Sequence, residues 1–182
     1  MHIPEWFTFS RKKTPTSPLP VYPEVLGPSL DTVPLHHQNL VRREEWGAEP
    51  SYRPKPRLEH PIKWIKLTYS TFSRRCFTVK RCIKSVRNLQ LVHINKAGID
   101  DIQYNFMIGG DARVYEGRGW HLVPENERIL LKPWQDKFLE IAFIGDDKGF
   151  KIPPSHAMYR AAWEVIQYGL QNKFISEHYK ML

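Results

Sequence analysis

The run from Asp101 to Trp120, DIQYNFMIGGDARVYEGRGW, constrains the fold of this chain more than any other stretch. Ile102, Tyr104, Phe106 and Ile108 alternate with Gln103, Asn105 and Met107, the period-two signature of a strand. Gly109-Gly110-Asp111 interrupts the alternation with residues that tolerate positive φ, and Arg113-Val114-Tyr115-Glu116 resumes it. This pattern predicts a β-hairpin from Ile102 to Glu116 that forms a floor with an exposed polar row. Gly117-Arg118-Gly119 then ends the second strand with an arginine between two flexible residues.

The flanking segments supply the other layers. Ile62 to Tyr69 reads as a buried strand carrying Ile62, Trp64, Ile65 and Leu67. Thr78 is a good N-cap for a helix with apolar residues at Val79, Ile83, Val86, Leu89 and Ile94, and Lys80, Arg81, Lys84 and Arg87 on its other faces. Phe138, Glu140 and Ala142 alternate with Leu139, Ile141 and Phe143, which predicts a strand through Ile144. Pro153-Pro154-Ser155 is a stop-and-cap signal for a final helix to about Leu170, with Met158, Ala162, Val165 and Ile166 inward. Strands alternating with helices predict an α/β fold, a central mixed β-sheet flanked by helices.

At 182 residues the chain suffices for one domain of about 100–150 residues and an extension. Residues 1–38 hold seven prolines and no sustained apolar periodicity, so they read as a Pro-rich flexible extension, and residues 39–182 as the domain. Trp6, Phe7 and Phe9 form an isolated aromatic cluster within that extension. No stretch approaches the roughly 20 apolar residues of a membrane span. Nor does the N-terminus carry a continuous apolar signal core, because Arg11-Lys12-Lys13 and prolines interrupt it.

The formal net charge is +8, and between Glu59 and Asp100 the chain has nine Lys and Arg residues and no acid. Such a field favours anionic partners, but a solvated helix face is the plainer account, because charge alone specifies nothing. With no nucleic-acid motif and the aromatics read as core, nucleic acid is not an expected partner.

The hairpin run resembles the signature of peptidoglycan recognition proteins, the animal relatives of phage-type zinc amidases. Val41-Arg42-Arg43-Glu44-Glu45-Trp46-Gly47-Ala48 resembles the opening motif of that family, so the resemblance spans the chain from there to its C-terminus. It implies an amidase-like fold. The family fold continues beyond the last main helix with a strand and a further helix; this chain is expected to lack both. Apolar surface under the last helix would then be exposed.

Family amidases hold zinc with two histidines and a cysteine, which leaves one position open for an activated water. The resemblance puts the first ligand in a His-His pair at the end of the Ile62–Tyr69 strand, where this chain has Thr68-Tyr69. A threonine hydroxyl is a very poor zinc ligand near neutral pH. The other two ligands belong to segments expected beyond Leu182. The expectation is therefore a non-catalytic member with no metal and no cofactor, although Tyr104 matches a tyrosine that assists the amidases. His36-His37 resembles the lost pair only as a dipeptide within the Pro-rich extension, and His178 matches no motif.

Recognition does not require catalysis. The resemblance implies a ligand groove using Thr68, His93, Tyr104, Arg118 and the turn Gly98-Ile99. His93 reads equally as groove-facing or as structural. Members that read a diaminopimelate stem commonly have Gly-Trp in that turn; here the glycine is kept and isoleucine replaces the indole. Arg118 has two readings, a bidentate fork for a ligand carboxylate or a structural pair with Glu116 or a nearby carbonyl. Leu130, Leu131 and Trp134 make the following loop unusually apolar, to be packed on its own domain or to meet another protein.

Cys76 and Cys82 lie six steps apart, about 9 Å along a continuous helix and too far for a bridge. A cap at Thr78 would place Cys76 in the preceding turn and make a bridge feasible, with two free thiols as the alternative. The resemblance implies the disulfide, and hence an oxidising, extracellular setting. Without a visible signal segment, an intracellular form or a fragment stays open. The implied partners are bacterial peptidoglycan fragments, including diaminopimelate-type ones, and a related recognition receptor. The alternatives are a working zinc-dependent N-acetylmuramoyl-L-alanine amidase and an interaction module that binds no glycan.

Overall fold

A computed structural model of the chain describes residues 39–70, 73–125, 138–145 and 153–182. The expectations for the Pro-rich extension, for His36-His37 and for the apolar Leu130–Trp134 stretch lie outside these residues. In chain order the elements are β1 (Leu40–Val41), α1 (Arg43–Trp46), β2 (Ile62–Tyr69), α2 (Val79–Lys96), β3 (Phe106–Ile108), β4 (Val114–Glu116), β5 (Phe138–Phe143), α3 (His156–Gln171) and β6 (Ile175–Met181). Six strands form one mixed sheet in the order β1-β4-β3-β5-β2-β6, where only β3 and β4 pair antiparallel.

The centre of the sheet follows from β5. All six residues of Phe138–Phe143 are buried, as a parallel strand covered on both faces requires. Parallel register sets Thr68 beside Ala142 and Lys66 beside Glu140 in β2, and Met107 beside Ala142 in β3. One face of the sheet meets α2, through a core that joins Cys82, Val86 and Leu89 to Met107, Tyr115 and Ala142. The other face meets α3, where Tyr159 packs on Phe143 and Tyr168 on Trp120.

Both helices start where expected. The Thr78 hydroxyl accepts a hydrogen bond from the Arg81 amide, and the Ser155 hydroxyl accepts one from Met158. The inward stripe of α2 is Cys82, Val86, Leu89 and His93, while Val79 is exposed and Ile83 only partly covered. On α3 the residues predicted inward are all buried. Cys76 and Cys82 form a disulfide with their α-carbons 5.0 Å apart, which ties the start of α2 to the segment after β2.

Three features depart from the sequence reading. The hairpin strands are only three residues each, and Asp101–Asn105 lies outside them, although the Asn105 backbone still bonds to Glu140 and Gly117. The exposed polar row is also absent. Both faces of β3 are covered, and Asn105 is buried, its amide donating to the carbonyls of Gly119 and Leu122. Finally, the strand after the last main helix, expected to be missing, is present as β6. It pairs parallel with β2, and Leu182 donates its amide to the Ile65 carbonyl. Its residues are mostly polar because it is an edge strand that buries Ile175 alone.

Candidate functional site

The residues expected to read a ligand gather around the C-terminal end of α2. His93, in the last turn, is fully buried, and its ring meets Tyr104 edge-on at 5.7 Å. Its Nδ1 accepts from the Gln103 amide at 3.2 Å, so the proton of the neutral ring sits on Nε2. Among the described residues Nε2 has no partner. Burial, reinforced by the nearby Arg118 guanidinium and opposed by Asp101, lowers the imidazole pKa to about 4. Gly98 adopts φ +68°, a left-handed turn that brings the Ile99 amide back to the His93 carbonyl at 3.1 Å. Ile99 is itself buried.

Arg118 is a structural hub. Its Nε donates to the Ile102 carbonyl at 2.7 Å and Nη1 to the Val123 carbonyl at 3.2 Å. Nη2 pairs with the Glu125 carboxylate and lies 3.9 Å from Asp100. The side chain is 1 % exposed, so the carbonyl pairing foreseen for it is present, while its acid partner is Glu125 rather than Glu116. A ligand carboxylate would have to replace Glu125, whose own side chain is 46 % exposed and so able to leave.

Acidic residues lock the same region. Asp101 accepts from Gln90, Arg43, Lys55 and the Ile102 amide, and Asp100 from Ser51 and the Arg53 amide. Although burial opposes it, these donors and cations hold both carboxyls below the usual range. Burial pushes the Lys55 ammonium down. A cleft of about 550 Å³ opens beside this network, lined by Arg43, Ser51, Lys55, Asp101, Gly117 and Arg118 among others.

Thr68 lies in the sheet row of Ala142 and Met107, residues that share one core cluster with Tyr104. One row below it lies a pair that sequence reasoning missed. Lys66 donates to Glu140 Oε1 at 2.7 Å and rests 5.9 Å from the Phe138 ring centroid. Glu140 is 1 % exposed and its Oε2 has no partner among the described residues; burial pushes its carboxyl up despite Lys66. The signal was a glutamate within an otherwise apolar strand, but its partner depends on strand register.

The zinc implied by the resemblance can be tested against β2. Consecutive strand residues face opposite sides. Tyr69 packs on Phe143, 5.9 Å between centroids, on the face covered by α3, whereas Thr68 lies in the row of Ala142 on the α2 face. Two hydroxyls on opposite faces do not fit a zinc ion. Among the described residues no group of three or more His, Cys, Asp or Glu is placed to hold a metal. No described helix is long and apolar enough to cross a membrane.

Comparison with known proteins agrees with this architecture. Residues 61–182 match the family described as N-acetylmuramoyl-L-alanine amidase. Peptidoglycan recognition protein 1 of Mus musculus is 32 % identical over 142 residues, which cover 78 % of this chain and 74 % of the mouse protein. The solved structure of peptidoglycan recognition protein LE with tracheal cytotoxin, a monomeric diaminopimelic acid-type peptidoglycan, is similar at TM-score 0.71 and 25 % identity, covering 79 % of this chain and 80 % of that one. The complex of the Drosophila receptor ectodomains LCa and LCx with tracheal cytotoxin is similar at TM-score 0.71 and 28 % identity, with coverage of 79 % and 82 %. With the family match spanning well over half its length, this chain belongs to the peptidoglycan recognition protein family.

Proposed function

We propose that this chain is a non-catalytic peptidoglycan recognition protein, which binds bacterial muropeptides or a related receptor and acts in innate immune sensing or its modulation. The observation that carries the reading is the end of β2. Thr68, not an imidazole, shares the α2 face with Ala142, and Tyr69 turns to the other side. The scaffold is otherwise that of relatives solved with tracheal cytotoxin. Binding of a diaminopimelate stem would draw its second carboxylate to Arg118 in exchange for Glu125, a charge-for-charge replacement.

Titration calorimetry with tracheal cytotoxin, followed by analysis for released stem peptide, tests the proposal. The expected outcome is saturable heat with no release. Stem-peptide release by zinc-loaded protein would overturn the non-catalytic reading in favour of an amidase. No heat at millimolar ligand would leave receptor pairing as the surviving version.

A further inference from the structure

We propose that His60 and His121 form a two-imidazole site for a divalent transition metal of the zinc class, contributed by the segment before β2 and the loop after β4. His60 Nε2 and His121 Nδ1 lie 3.3 Å apart. The contact is a hydrogen bond between the two rings, and a metal ion would take the place of its proton. Two nitrogens bound to one tetrahedral zinc at about 2.0–2.1 Å stand about 3.3 Å from each other, because the bond angle is close to 109°. The observed separation matches the edge of a zinc tetrahedron, so an ion could replace the shared proton without parting the rings.

The tautomer also suits a metal. His60 Nδ1 is 3.2 Å from the Phe174 carbonyl, which can only accept, so the ring proton sits on Nδ1 and Nε2 presents its lone pair to His121. A backbone carbonyl on the far nitrogen is the outer-shell arrangement that orients metal-binding imidazoles. Phe174 backs both rings, with centroids 5.3 Å from His60 and 5.5 Å from His121, and Trp120 stacks on Phe174 at 5.0 Å.

The backbone holds the two histidines in place before any ion arrives. Leu58 donates its amide to the His121 carbonyl at 2.9 Å, and Val123 donates to Pro56 at 3.1 Å. The Phe174 carbonyl that receives His60 also accepts the Ile62 amide at 2.7 Å. Both histidines are exposed, so waters or a group from another molecule can complete the coordination. A bound ion would cross-link the segment before β2 to the loop after β4.

Zinc chloride titrated into the untagged full chain tests this, read by calorimetry and by nitrogen-15 spectra of the imidazoles. One zinc per chain is expected, with the largest shifts at His60 Nε2 and His121 Nδ1. His60→Gln and His121→Gln should each weaken binding by about tenfold or more. Absence of binding at millimolar zinc, undiminished affinity in either variant, or shifts confined to other histidines would overturn the proposal. The spectra of the unaltered protein keep the test valid even if a variant folds poorly.

Discussion

Each nitrogen of the Arg118 guanidinium has a partner inside the fold, and that fact governs its neighbourhood. A cation buried to this degree is retained only when its donors are satisfied, and the carbonyls of Ile102 and Val123 with Glu125 do so. Burial above all, with this charge beside it, keeps His93 neutral. The unfolded chain takes up a proton near pH 6.5, whereas the folded one resists until about pH 4, so His93 removes stability as pH falls across that window. Over the full shift the effect is on the order of 3 kcal/mol. Glu140, whose carboxyl is raised by burial, contributes with the opposite sign. Comparison of urea midpoints for the unaltered chain and His93→Asn from pH 7 to 4 isolates the histidine. Asparagine keeps an acceptor for the Gln103 amide, and the variant should lose the excess pH dependence. An unchanged profile would show that His93 does not titrate in this way.

Among the elements, β6 shows how little apolar pattern an edge strand needs. Only Ile175 is well buried, yet it fits against Gly169 of α3 so closely that an added β-carbon would lie 2.5 Å from Ile175 Cδ1 and 2.8 Å from the Trp120 ring. Gly169→Val should therefore force β6 away from α3 and destabilise the domain by about 2 kcal/mol or more, measured by chemical denaturation. Hydrogen exchange in the same variant should accelerate at the β6 amides before those of β5. The disulfide acts at the other end of the sheet. Closing so short a loop removes little unfolded-state entropy, and Cys76→Ser with Cys82→Ser should cost about 2 kcal/mol. A loss several times larger would mean that the bridge also supports the hairpin turn packed beside Cys76.

At the scale of the molecule, every described strand belongs to one sheet with a helix on each face. Differential scanning calorimetry should accordingly give a single cooperative transition for the domain. Two separable transitions would show that β6 and α3 melt apart from the α2 side.

What the sequence by itself determined is the family and the central elements, β2, α2, the hairpin, β5 and α3, but not β1, α1 or β6. Its signals were local: the apolar run of β2, the alternation in β5, the hydroxyl caps at Thr78 and Ser155, the glycine turn at Gly98, the apolar stripe of α3, and the motif residues around Arg118. A cap or a stripe depends on neighbours a few residues away, so it can be read along the chain. Only the tertiary structure decided that Arg118 faces Glu125, that Lys66 meets Glu140, that Thr68 and Tyr69 serve different faces, and that His60 stands beside His121. It also turned the anticipated exposed row into core, because Asn105 and Met107 are covered by segments distant in sequence. These contacts join residues up to 74 positions apart. Register and layer packing set them, and neither is encoded in any window shorter than the whole sheet.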